Sequence, residues 1–235
     1  MSLMLPAGVV QQQGGGVVYD PGMMTFTNTS AFYSKTSITF DVNAFTLAFR
    51  HNSATFTGGA FINPIIFDHT GSLNIAILYV FSSDYATADE RNKVVVQIFN
   101  SANAVIGQLK SKSDYCSGAD TTFFLSYNGA DGAYVFKSDL QADEDDATYG
   151  ARVIPSAATL YSGSNCQFLN MGKLGSMGPF TFDKSVIPYT TLFSGLTPIN
   201  ISGTGYLFYN ENAKLDANVG TAGNATANGT ITCPA

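Results

Sequence analysis

An all-β antiparallel sandwich or barrel, in one domain, is the fold class this sequence predicts, and three observations predict it. From Thr36 onward, apolar and polar residues alternate with the period of two that sends successive side chains to opposite faces of a sheet. The alternating runs are short, regularly spaced and joined by Gly, Asn and Asp turns. No strand–helix–strand alternation interrupts them, and no glycine-rich loop opens a helix. At 235 residues the chain lies within the range of a single all-β domain and can bury a sizeable core without staples.

Taken in order, residues 1–24 read as an extended arm that ties a subunit to its neighbour, or equally as a frayed terminus. Gln11–Gln13 and Gly14–Gly16 are too polar and flexible to pack alone, and Pro21-Gly22 marks a turn, while Leu3, Leu5, Val9 and Val10 can dock onto a neighbour. The sandwich is expected over residues 25–210. In AFTLAFRH, Phe45, Leu47 and Phe49 point one way and Thr46, Ala48 and Arg50 the other. SLNIAILYVF puts Leu73, Ile75, Ile77, Tyr79 and Phe81 on one face, with Leu78 and Val80 on the second, so that strand is covered on both sides. KVVVQIF and AVIGQLKS form a hairpin around Ser101–Asn103, and TTFFLSY and AYVFKS form another around Asn128–Gly132. Further strands are expected at Ala151–Ile154, Ala158–Tyr161, Cys166–Met171, Gly178–Phe182 and Tyr206–Tyr209. Residues 211–235, rich in Gly, Ala, Asn and Thr, read as an irregular tail.

Composition bounds the function. Charged residues make up only 12% of the chain, about half the usual share, against 18 Phe and 12 Tyr. Such a surface suits a protein held in an assembly or one outside the cytoplasm. With 11 Lys and Arg and a net charge of −6, no basic stripe is available to neutralise phosphates, so nucleic-acid binding is not expected. No run approaches the ~18 apolar residues of a membrane helix, and the first residues lack the charged and apolar regions of a signal peptide. Three cysteines form no C-x-x-C pair; a Cys116–Cys166 bridge stays open from sequence. His51 and His69 lie far from cysteine pairs, which argues against zinc. Sequons stand at Asn28, Asn200, Asn224 and Asn228, numbers that chance explains in a chain this rich in Asn, Ser and Thr.

The stretch KLGSMGPFTFDKSVIPYTTLFSGL is the unusual one. A glycine-punctuated strand runs into an Asp turn, and then Pro188 and Gly195 bracket a short helix expected near residues 184–194. This order resembles the end of domains in the concanavalin A-like lectin/laminin-G superfamily, with Gly175, Gly178, Phe180, Phe182, Asp183, Val186, Leu192 and Phe193 in the matching places. AFTLAFRH is similar to that family's Phe-Thr-Leu-x-Phe strand, and TTFFLSYNGADGAYVF to its aromatic hairpin. Together these cover roughly residues 36–195. Two departures stand out: Lys137-Ser138-Asp139 replaces a second Asn-Gly, and the chain has no Trp. The resemblance implies a jelly-roll sandwich.

Catalytic signatures are absent from the sequence. Glycosidases of that superfamily place paired carboxylates on one strand, whereas Glu90, Glu144 and Glu211 stand apart from one another. Neither histidine accompanies a nucleophile elbow. Oxygen-rich DLQADEDDATYG offers Asp143, Asp145 and Asp146 as calcium ligands on a loop, without the Asp-x-Asp-x-Asp-Gly spacing of a self-contained cage; its other reading is a solvated acidic loop. Tyr85, Tyr115 and Tyr149, beside polar and acidic residues, are candidate sugar-stacking platforms, or rings that cover sandwich edges. The sequence therefore points to a non-enzymatic structural and interaction protein of a virus particle: a bacteriophage head decoration, fibre or tail-associated protein. It would be homo-oligomeric and joined to other virion proteins through its arm, with host-surface glycans as further contacts. The alternative is a secreted carbohydrate-binding module.

Overall fold

The computed structural model describes residues 9–11, 17–19, 24–26, 31–41, 44–53, 61–67, 73–80, 86–88, 91–100, 102, 104–110, 114, 120–128, 133–137, 144–145, 160–163, 166–168, 175–188, 193–194, 197–198, 206–209 and 215–232. Two antiparallel sheets make the body. One runs β13 (Glu144–Asp145), β12 (Ala133–Lys137), β11 (Asp120–Asn128), β6 (Ala44–Ser53), β16 (Gly175–Asp183), β3 (Met24–Phe26) and β21 (Ile231–Thr232), with β19 (Leu207–Phe208) also paired to β16. The other runs β10 (Val105–Lys110), β9 (Val94–Asn100), β8 (Leu73–Val80), β7 (Phe61–Phe67), β15 (Cys166–Phe168), β4 (Phe32–Lys35) and β20 (Thr226–Asn228). Three two-stranded pairs complete it: β1 (Val9–Gln11) with β2 (Val17–Tyr19), β5 (Ile38–Asp41) with β14 (Leu160–Gly163), and β17 (Phe193–Ser194) with β18 (Thr197–Pro198). This is the all-β antiparallel sandwich that the alternation in the sequence predicts, of the kind that the resemblance implies.

Strand β6 shows why the chain folds this way. Its alternation sends Phe45, Leu47 and Phe49 inward, where register sets them opposite Tyr127, Leu125 and Phe123 of β11. On its other side Leu47 and Phe49 face Phe182 and Phe180 of β16. Phe49 lies 4.8 Å from the Phe123 ring and 6.4 Å from that of Phe180. Phe168 of the opposing sheet meets Phe180 at 5.6 Å and Phe182 at 6.2 Å, so these rings are the seam between the sheets. Phe40 of β5 closes one end, edge-on to Phe182 at 5.0 Å and to Phe45 at 5.8 Å. Burying each such side chain fully contributes about 1.5–3 kcal/mol, which makes this aromatic seam the main source of cohesion among the described residues.

Both hairpins read from the sequence are present, β9 with β10 and β11 with β12, the former carrying a bulge between Val105 and Gly107. His51, the last residue of the AFTLAFRH run, sits inside β6 at 0% exposure and edge-on to Phe49. Strand β14 begins at Leu160, within the expected 158–161 run, and 151–154 lies outside the described residues.

Two expectations need correction. The short helix near 184–194 is not found among the described residues: Lys184–Pro188 is non-helical and Phe193–Ser194 pairs with Thr197–Pro198, while 189–192 lies outside the described residues. A helix of about ten residues is marginal by itself, whereas here β18 packs against β6 and β16 and side chains of the sheet take up the backbone of 185–187. The tail, read as irregular from residue 211, instead supplies a 3-10 turn at Leu215–Ala217 and the outermost strands of both sheets, β20 on β4 and β21 on β3. Edge strands bury little, so small uncharged residues suffice there and leave no apolar alternation to read.

Candidate functional site

The outer face of the β11–β6–β16 sheet is the most polar buried surface among the described residues. Residues that alternate with the aromatic seam point there: Thr122, Phe124 and Ser126 on β11, Thr46 and Ala48 on β6, Thr181 and Asp183 on β16. All seven are buried, and the segment after β16 covers part of this face. Register puts Ser126, Thr46 and Asp183 side by side across three strands.

Asp183 ends β16 and shapes the turn. Its Oδ1 accepts the Ser185 N–H at 3.0 Å and the Ser185 hydroxyl at 2.6 Å, the short-range pattern by which an Asp side chain replaces a backbone turn. Thr46 then fixes the chain that leaves the turn. Its hydroxyl donates to the Ser185 carbonyl at 2.7 Å and accepts the Ile187 N–H at 2.9 Å. Because that single proton is committed, Ser126 is the donor in the longer 3.4 Å contact between the two hydroxyls. Polar capacity is left over: Asp183 Oδ2 and Thr181 Oγ1, two residues apart on one face of β16, are buried without a hydrogen-bond partner among the described residues. On the rim, Lys184 places Nζ 3.8 Å from the centre of the Tyr206 ring, whose edge contact with Phe182 (5.8 Å) ties it to the core. Val186 is 44% exposed beside it in sequence.

Chemically this face positions the chain's own backbone. His51 cannot join Asp183 in a dyad: it belongs to the inner face, and register sets it opposite Met177 while Thr46 is the residue opposite Asp183. The two are about five strand residues apart, roughly 16 Å at the usual rise. A second polar node organises the chain after β19. Asn218 Oδ1 accepts the N–H of Phe208 at 2.6 Å and of Gly220 at 3.1 Å, while its amide nitrogen donates to Gly223 O at 3.2 Å. Lys35 reaches across from β4 to donate to Asn224 O at 3.1 Å.

The residues that the sequence singled out fall elsewhere. Tyr85, Tyr115 and Tyr149 lie outside the described residues, as do Asp143, Asp146 and His69. Asp145 and Glu144 form β13, paired to Val135 and Phe136, so part of the acidic loop is an edge strand. Cys166 is buried in β15, and Cys116 lies outside the described residues. Among the described residues no group of three or more His, Cys, Asp and Glu could hold a metal ion. Sequence reasoning missed Thr46, Ser126 and Lys184. The signal for the first was available in Thr46's place on the polar side of a strand whose polar side is also covered.

No protein-family model matches the chain, and no curated protein matches it. Solved structures do. A native heptameric SAP-like pentraxin from Limulus polyphemus superposes with a TM-score of 0.50 at 9% identity, over 90% of this chain and 93% of that one. The Ruminococcus gnavus IT-sialidase CBM40, bound to α2,6 sialyllactose, gives 0.37 at 12% identity over 68% and 95%. Toad ovary galectin in complex with thio-digalactose gives 0.34 at 12% identity over 63% and 99%. The likeness to the pentraxin is one of fold alone: an antiparallel β-sandwich.

Proposed function

We propose that the chain is a non-enzymatic structural and interaction protein of a virus particle, built on a lectin-type sandwich. The observation that supports this most is the treatment of the outer face of the β11–β6–β16 sheet. The Thr46 hydroxyl and one oxygen of the Asp183 carboxylate are buried there and bonded to the chain's own backbone, which serves rigidity and leaves the contacts to edges and arms. A 12% share of charged residues suits a surface covered by neighbours. Its setting is the virion, with capsid or tail proteins as partners.

The second reading, a secreted carbohydrate-binding module, takes support from the exposed sequon at Asn224 and from Tyr85, Tyr115 and Tyr149, which the sequence sets beside polar and acidic residues. Density-gradient fractionation of the source culture, followed by immunoblotting, separates the two. Co-migration with particles supports the first. Recovery of the chain only as free soluble protein that binds a glycan array supports the second and removes the first.

A further inference from the structure

The polar face of β16 carries two atoms whose hydrogen-bonding capacity the described residues leave unmet. Thr181 is 1% exposed and Asp183 5%. Asp183 Oδ1 is engaged by the N–H and the hydroxyl of Ser185, but Oδ2 has no hydrogen-bond partner among the described residues, and neither has Thr181 Oγ1. A bare buried polar atom is costly, and more so on a carboxylate. Buried polar groups in folded proteins almost always have a partner, either protein or bound solvent. Two unmet atoms on one face of one strand therefore point to a shared ligand.

The chemistry of the pair limits what that ligand is. A carboxylate oxygen only accepts, whereas a Thr hydroxyl donates and accepts, so the ligand offers an O–H, an N–H or a positive charge to Oδ2. A hard metal ion such as calcium gathers about six or more oxygen ligands, and two oxygens fall far short. Thr46 Oγ1 is spent on Ser185 and Ile187, and Asp183 Oδ1 on Ser185. Lys184, next in sequence, is exposed and holds Nζ over the Tyr206 ring.

One water fits the spacing. Thr181 and Asp183 are two residues apart on the strand, roughly 7 Å at the usual rise. Their oxygens do not bond each other, and two O–H···O bonds of about 2.8 Å in series join side chains set that far apart. Register places Ala48 opposite Thr181, and its single methyl group leaves β6 from crowding the gap. Two polar partners are the fewest that hold a buried water. We infer that a single buried water bridges Asp183 and Thr181, donating one O–H to Oδ2 and accepting the Thr181 hydroxyl proton. Asp183 is then held on both oxygens, by the turn that follows β16 and, through the water, by its own strand. The site belongs to the chain itself, whichever of the two settings proposed above holds.

Crystal structures of the wild type and two full-length variants, each paired with thermal melting, test it. The wild type should show one ordered water within hydrogen-bond distance of both atoms. Thr181→Ser keeps the hydroxyl and should keep the water. Thr181→Val keeps the shape without the hydroxyl; the water should be lost and Tm should fall by about 2–4 °C, because the buried Oδ2 loses its one partner. The sign of that shift separates the two possibilities, since deleting a hydroxyl that had no partner at all would raise Tm. A rise or no change in Tm for Thr181→Val overturns the proposal. So does a water that stays in place in that variant, or a metal ion or protein group bonded to Oδ2 in the wild type.

Discussion

Replacing Thr46 by Val isolates the polar anchor of the outer face. The two side chains are nearly equal in volume, so no cavity forms and the burial of β6 is kept. What goes is one hydroxyl, with two hydrogen bonds: the donation to Ser185 O (2.7 Å) and the acceptance from Ile187 N–H (2.9 Å). Ser185 is exposed and its carbonyl can turn to water, so the first loss is the ordinary net value of about 0.5–1 kcal/mol. Ile187 is half-buried, and leaving its N–H unmet costs about 1–2 kcal/mol. The sum is roughly 2 kcal/mol, a drop in Tm of about 4–8 °C for a domain of this size. Urea denaturation gives the free energy, and hydrogen exchange at the Ile187 amide, expected to speed up before global unfolding, gives the location. Ser126→Ala, which removes only the 3.4 Å contact, should cost about 0.5 kcal/mol. A Thr46→Val protein that melts within about 1 °C of wild type, with unchanged exchange at Ile187, refutes the claim that this hydroxyl holds the segment after β16.

Three further changes probe other parts. Phe49→Ala, at the centre of the aromatic seam, should cost about 3–5 kcal/mol in denaturant titration. Asn218→Ala removes an acceptor shared by two backbone N–H groups and should cost about 1–2 kcal/mol, with faster exchange at Phe208. Gly223→Ala meets open space apart from Lys35 Nζ at 3.6 Å, so its cost is the left-handed backbone (φ 73°) alone, about 1–2 kcal/mol by thermal melting.

Legibility in the sequence followed burial. Strand β6 was readable because Phe45, Leu47 and Phe49 line one face, and β11–β12 and β9–β10 because their turns carry Gly, Asn or Asp between alternating runs. The strands β13, β17, β18, β20 and β21 were not, since each is two or three residues long and is fixed by a neighbouring strand rather than by its own pattern. The segment after Asp183 was misread for a related reason. Pro188 and Gly195 are compatible with a helix, but Thr46, about 140 positions earlier, decides the path of the backbone, and a contact at that separation leaves no local trace. Asp183 itself was visible as a turn former; its pairing with Thr46 across the sheet was not.

The assignment to a virus particle is tested most directly by copy number. Quantitative mass spectrometry of gradient-purified particles, before and after a high-salt wash, gives the ratio of this chain to the major shell protein. The account predicts a fixed ratio, the same in independent preparations and unchanged by the wash, because a charge-poor contact is little screened by salt. A ratio that varies between preparations, or falls towards zero on washing, would contradict it.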